Sequence, residues 1–238
     1  MAVTDPVPVP AVASALDRLP EAAMIFAAGF GTRMGGLTRN TPKPLLRAGG
    51  RTLLDRALSL VTDAGITRIA ANGHYLGEQV EAALRPTGAQ YLKEEVILET
   101  GGGLRAALPV LGRGPVVTLN PDAIFLGSNP IRALCDAWEP DRMDALLAVV
   151  PLANTRAHGG TGDFALVDGR LSRGGAYVYT GAQVIKTNRL AEVPETAFSL
   201  NRLWDLMAAE GRLCGLAYGG DWVDVGTPKG LQAAEDAF

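Results

Sequence analysis

The chain has 238 residues, 47% hydrophobic and 20% charged, which is ample for a real core and for one or two domains. A net charge of −3 and a pI of about 5.5 leave no basic footprint for bulk nucleic-acid binding, so a phosphate ligand has to be met by local positive charge. Two distant cysteines, Cys135 and Cys214, read as thiols in a reducing compartment, and two histidines, His74 and His158, as surface or packing residues too few for a zinc centre.

In chain order, the proline-rich segment 1–20 predicts a flexible, extended arm, with the fold starting near Glu21. It lacks the basic start of a signal peptide, and no apolar stretch reaches the ~18 residues of a membrane span, so a cytoplasmic protein is expected. AAMIFA (22–27) is an unbroken apolar run and predicts a buried strand. After a long loop, TLLDRALSLVTDAG (52–65) places Leu53, Leu54, Ala57, Leu58 and Val61 on one helical face and stops at Gly65. ITRIAAN (66–72), AQYLKEE (89–95), PVVTLN (115–120) and DALLAVVPL (144–152) predict strands. Helices are predicted between them over LGEQVEAAL (76–84), GGGLRAALPVL (101–111) and PIRALCDAW (130–138), the last with Pro130 in its first turn. This alternation calls for a parallel sheet with right-handed crossovers.

After Pro151 the rhythm changes. GDFALVDGRLSRGGAYVYTGAQVI (162–185) shows short strands around Asp-Gly and Gly-Gly turns, as in antiparallel hairpins. A helix over 198–211, strands over 213–218 and 221–226, and a last helix from Pro228 complete the chain. The expectation is one α/β domain over 21–238: a Rossmann-like, mostly parallel sheet flanked by helices, carrying a small antiparallel insertion. Its halves divide near residue 150.

Open parallel sheets bind ligands beyond the carboxyl ends of their strands, so the loop after the first strand is the expected phosphate site. Gly29 and Gly31 let the main chain approach a ligand, and successive N–H groups can wrap a phosphate. Arg33 offers a planar fork for phosphate oxygens, and Lys43 a compact charge whose backbone is restrained by Pro42 and Pro44. The dinucleotide fingerprint Gly-x-Gly-x-x-Gly is broken, because Met34 stands where the third glycine belongs. A Gly-Lys-Ser/Thr P-loop is absent. ETGGG (99–103) stands before the predicted helix, where free N–H groups and the dipole suit an anion or a base edge.

The ordered pattern Ala27-Ala28-Gly29-x-Gly31-Thr32-Arg33-Met34, Leu37-Thr38, Pro42-Lys43-Pro44-Leu45-Leu46 resembles the signature of the sugar-1-phosphate nucleotidyltransferases. The resemblance runs over residues 22–238. Within that family, LETGGGLRAALPVL (98–111) and GDWVDVGTP (220–228) look most like the N-acetylmuramate-1-phosphate uridylyltransferases of peptidoglycan recycling. Mannose- and heptose-phosphate guanylyltransferases carry similar segments. The resemblance implies an enzyme that joins a nucleoside monophosphate to a sugar 1-phosphate and releases pyrophosphate. Its partners would be a nucleoside triphosphate and a sugar 1-phosphate, with no nucleic acid and no membrane.

On that resemblance Arg33 and Lys43 are catalytic. Ala28, Gly29, Gly31, Thr32 and Arg33 hold the triphosphate, with Asn72, Thr100 and Gly101 toward the base, uracil or guanine. Asp122 and Asp224 would bind Mg2+, which takes one or two carboxylates together with phosphate oxygens. The sugar side is implied at Asn120, Asp163, Gly181 and Trp222. Two departures from the pattern stand out. Asn120-Pro121-Asp122 replaces the family's Asn-Gly-Asp and removes an N–H. No Glu-Lys pair lies between 160 and 180, where Arg173 is the nearest basic substitute. Both departures also motivate a second reading, a nucleotide-sugar-binding module without turnover.

Overall fold

The computed structural model describes residues 19–238, so the arm expected over 1–20 falls, save its last two positions, outside the described residues. The first half contains β1 (Ala22–Ile25), β2 (Arg47–Ala48), β3 (Arg51–Thr52), α1 (Leu53–Asp63), β4 (Arg68–Gly73) and α2 (Gly77–Leu84), then β5 (Gln90–Lys93), α3 (Glu99–Leu111), β6 (Pro115–Leu119), β7 (Ala123–Leu126), α4 (Pro130–Ala137) and β8 (Ala145–Pro151). The second half contains β9 (Thr155–Arg156), β10 (Phe164–Val167), β11 (Arg170–Arg173), β12 (Tyr177–Lys186), α5 (Asn201–Ala209), β13 (Leu213–Ala217), β14 (Asp221–Asp224) and α6 (Pro228–Glu235).

Nine strands from both halves join in one mixed sheet, in the order β10-β11-β13-β8-β12-β6-β1-β4-β5. β1 runs parallel to β4 and β6, and β5 parallel to β4. The unbroken apolar run of β1 follows from its central place, because both faces are covered. Ala23 and Ile25 pack with Leu54, Leu58 and Val61 of α1 on one face. Ala22 and Met24 pack with Leu104, Ala107 and Leu111 of α3 on the other. Ile25 and Met24 are fully buried, each worth about 2 kcal/mol of apolar transfer.

Helix starts are set locally. Thr52 caps α1 through the Asp55 N–H, and Asp55 returns the bond to the Thr52 N–H. Asn129 caps α4, and its side-chain amide also donates to the Leu60 carbonyl, tying α4 to α1.

The antiparallel insertion is built into the main sheet: its β12 pairs antiparallel with both β6 and β8 and lies at the centre. Its register breaks between Tyr179 and Gln183, around Gly181 at φ 89°, where a Cβ would lie 2.9 Å from the Asn120 Cβ. One expectation needs correction: ETGGG lies inside α3 rather than before it, since the helix begins at Glu99.

A three-stranded sheet, β7-β14-β9, sits beyond the main one. It packs Ile124, Val223 and Val225 against Leu53 and Ala234 of α6. Its ladder pairs Asp224 with Ala123, and the Val225 N–H donates to the Asp122 carbonyl at 3.0 Å. Two residues a hundred positions apart are thereby brought to one edge.

Candidate active site

The loop leaving β1 bends at once. The Ala27 N–H donates to Asn72 Oδ1 at 2.7 Å, and Gly31 takes the left-handed conformation at φ 66°. A side chain on Gly31 would also press Thr38 and Lys43 at 3.0 and 3.1 Å, so both conformation and space require glycine there. The Thr38 hydroxyl donates to the Gly31 and Gly35 carbonyls and closes the loop from below. Among the described residues no hydrogen bond engages the N–H groups of Ala28, Gly29 or Gly31. Those donors remain available to a ligand.

The loop forms one wall of a cavity of about 310 Å³. Ala28, Gly29, Gly31, Thr32, Arg33, Lys43, Asn72, Thr100, Asn120 and Asp122 line it, all of them expected site residues. Pro44 is buried in a short 3₁₀ turn that fixes the Lys43 backbone. The Lys43 ammonium reaches Asp122 Oδ2 at 2.5 Å, with the lysine side chain 13% exposed. Arg33 is exposed and forms no ion pair among the described residues. Its guanidinium lies over Gly226, where a Cβ would meet Arg33 Nη1 at 2.9 Å and Asp224 Oδ1 at 2.7 Å. The free fork of Arg33 and the Asp224 carboxylate therefore meet at Gly226 on the cavity wall, while Asp122 lines the cavity beside Lys43.

A metal can be tested against this donor set. Asp224 pairs with Ala123 on the β7-β14 ladder, the residue after Asp122, and no group of three His, Cys, Asp or Glu among the described residues could hold a metal ion. A hard cation that keeps waters and takes phosphate oxygens fits such a pair of carboxylates. Asp224 Oδ1 accepts the Gly226 N–H, and its Oδ2 lies 3.4 Å from Nδ1 of His158. His158 was expected as an ordinary surface or packing residue. Its ring packs against Trp222, with centroids 5.8 Å apart, and lies beside Asp224.

A second cavity of about 270 Å³ adjoins the first, sharing Phe26, Thr100 and Asn120 as a common wall. Asp163, Tyr179, Gln183 and Trp204 line it. Asp163 Oδ2 accepts the Tyr179 N–H at 2.9 Å, which sets the strand beside the cavity. Gln183 bridges the Thr118 hydroxyl and the Trp204 indole N–H in a buried floor. Burial pushes the Tyr179 phenol well up, so it stays protonated at neutral pH.

This geometry bears on five sequence expectations. Gly101 lines neither cavity: its N–H is taken by the Phe198 carbonyl at 2.8 Å, and Phe198 fills the space beside it. Asn72 lines the first cavity, but its carbonyl accepts from the Ala27 N–H and its amide donates to Glu94 Oε1 at 2.6 Å, so these contacts fix its orientation. Trp222 is packed among Ala123, Val150 and Val178 and donates to the Thr180 carbonyl, so it supports the site from within the core. Gly181 shapes the Asn120 loop rather than lining a cavity. Arg173 reaches the second cavity, but its fork is held by Asp205 and Asn201.

Glu94 was missed. It lies one residue past β5, between the exposed ion pair Lys93 and Glu95, and nothing in composition separates a buried carboxylate from that charged run. Its place at a strand's carboxyl end was the available signal. The cysteines carry no chemistry: both are free, Cys214 is buried, and burial pushes the Cys135 thiol up to about 11. No helix among the described residues is long and apolar enough to cross a membrane.

Residues 23–211 match the MobA-like NTP transferase domain. An N-acetylmuramate alpha-1-phosphate uridylyltransferase of Caulobacter vibrioides is 37% identical, over 92% of this chain and 98% of its own. The enzyme of the same name from Neisseria meningitidis serogroup B is 32% identical, over 90% and 96%. In fold, the inositol-1-phosphate CTP transferase from T. maritima superposes with a TM-score of 0.76 at 17% identity, covering 92% of this chain and 95% of that one. By these matches the chain belongs to the MobA-like NTP transferases and, within them, to the sugar-1-phosphate nucleotidyltransferases.

Proposed function

We propose that the protein transfers a uridylyl group from UTP to N-acetylmuramate 1-phosphate and releases pyrophosphate. The observation that carries the reading is the pair of adjoining cavities, with Asn120 on their shared wall and Lys43 and Asp122 lining the first. The choice of uracil and of muramate rests on the two relatives of that name, each aligned over nearly the whole chain. The reading places the protein in peptidoglycan recycling, in the cytoplasm where nucleoside triphosphates are made.

In this reading the triphosphate lies along the glycine loop, with the free N–H groups and Arg33 on its β- and γ-phosphates. The sugar phosphate enters through the second cavity. One of its phosphate oxygens attacks the α-phosphorus, a new P–O bond forms, and the bond from the α-phosphorus to the bridging oxygen breaks as pyrophosphate departs. Lys43 holds the reacting phosphates in line and lies beside the charge that develops there. Asp122 and Asp224 would hold a magnesium ion, which would supply neutralisation of the leaving group. Pro121 leaves this wall one N–H short of the family pattern, and the loop amides and Arg33 carry the anion instead.

The test is a matrix of the four common nucleoside triphosphates against N-acetylmuramate, N-acetylglucosamine, glucose and mannose 1-phosphates, with magnesium, reading pyrophosphate. The reading predicts its highest kcat/KM for UTP with N-acetylmuramate 1-phosphate. A maximum with GTP and mannose 1-phosphate would overturn the substrate assignment, and no pyrophosphate from any pair would favour a binding module.

A further inference from the structure

Glu94 is 6% exposed, lines the nucleotide cavity, and no step of the transfer uses it. A carboxylate so placed near a triphosphate is costly unless its oxygens are hydrogen-bonded. Both oxygens are. Oε1 accepts the Asn72 amide at 2.6 Å, and Oε2 accepts the Leu98 N–H at 3.0 Å. Its main chain is fixed as well: the Glu94 N–H donates to the Gly73 carbonyl at 2.8 Å, and His74 Nδ1 lies 2.8 Å from the Glu94 carbonyl oxygen. Asn72, 4% exposed, passes the restraint on, since its own carbonyl holds the Ala27 N–H at 2.7 Å where the glycine loop leaves β1. Gly103 leaves room for the pair, because a Cβ there would press Glu94 Oε1 at 2.9 Å and Asn72 Nδ2 at 3.0 Å.

We propose that Glu94 is a positioning residue for triphosphate binding, locking Asn72 and through it the glycine loop, while its second oxygen fixes the segment leading into α3. The single carboxylate ties together three walls of the cavity: the ends of β1 and β4 and the approach to Thr100. The polarity is one-directional. Glu94 only accepts, Asn72 donates to Glu94 and accepts from Ala27, and Leu98 and Ala27 only donate. The claim rests on the reading of this cavity as the nucleotide site.

That polarity gives a direct test. Glu94→Gln puts an amide against a donor at Asn72 or Leu98. Asn72→Asp puts a carboxylate against Glu94. Combined, Asn72→Asp with Glu94→Gln restores every bond with the middle one reversed: the new amide donates to the new carboxylate, which still accepts from Ala27. Calorimetric UTP affinity and amide exchange of residues 27–33 are measured for wild type, both single variants and the double variant, with sugar-1-phosphate KM as control. Each single variant is expected to weaken UTP binding by about tenfold and speed loop exchange, with sugar-phosphate KM unchanged, and the double variant to recover most of both. Unchanged UTP affinity in the single variants, or additive loss in the double, would overturn the positioning role while leaving the nucleotide site intact. A wild type that binds no nucleoside triphosphate would overturn the site and the role together.

Discussion

Lys43 has its backbone fixed by Pro42 and Pro44 and its ammonium on Asp122. Lys43→Ala should lower turnover at least ~100-fold, the ~3 kcal/mol that one preorganised charge contributes to a transition state. Asp122 keeps 30% side-chain exposure, so water can take the lysine's place and the fold should survive. A melting midpoint within about 3 °C of wild type would show this, and near-normal turnover would remove Lys43 from the mechanism. Arg33 offers a different case, since its guanidinium has no competing ion pair among the described residues. Arg33→Lys keeps the charge and loses the two-pronged geometry, so calorimetry should show triphosphate binding weakened about tenfold. Unchanged affinity and rate would exclude a phosphate contact. At this scale the sequence was informative wherever backbone and chemistry were joined in one motif, as in the glycine loop and the lysine between prolines. It was silent where function depends on what a side chain faces. Asn72 and Trp222 stand at legible positions, yet their polar atoms are taken by Ala27, Glu94 and Thr180.

At the scale of elements, the alternation of apolar runs with amphipathic helices was readable because β1, β4 and β6 are covered on both faces by helices that follow in sequence. The placement of β12 was not. Asp-Gly and Gly-Gly turns announce that strands double back, but the partner of the third strand is set by distant burial, here β6 and β8. A charged cluster ties these strands together at the far end. Burial alone would raise the Asp144 carboxyl, but hydrogen bonds from Arg212 and Lys186 outweigh it, so it titrates below its ordinary value. Lys186 ends β12 and Arg212 immediately precedes β13, so one carboxylate joins three strand ends. A depressed native value means stabilisation that is present above the unfolded-state value and lost as pH falls through the native one. Asp144→Asn should therefore cost about 2 kcal/mol at pH 7, by denaturant titration, with the deficit shrinking below about pH 4. An equal deficit at pH 7 and pH 3 would show that packing, not charge, accounts for it.

At the scale of the molecule, the site depends on convergence. Asp122 follows a strand of the first half and Asp224 ends a strand of the second, and the small β7-β14 sheet brings their backbones together, with Asp122 lining the cavity that Arg33 and Lys43 also line and Asp224 beside Gly226 at its edge. The family pattern named both aspartates and put them at one sheet edge, but the short strand β7 that joins their backbones across a hundred residues was not legible in the sequence. If both carboxylates serve one magnesium ion, their contributions cannot be independent. The direct test is transfer rate against magnesium for wild type, Asp122→Asn, Asp224→Asn and the double variant. Each single variant should lose most activity and recover part of it at high magnesium, and the double should be little worse than either single. Fully additive losses with an unchanged magnesium dependence would contradict a single shared site.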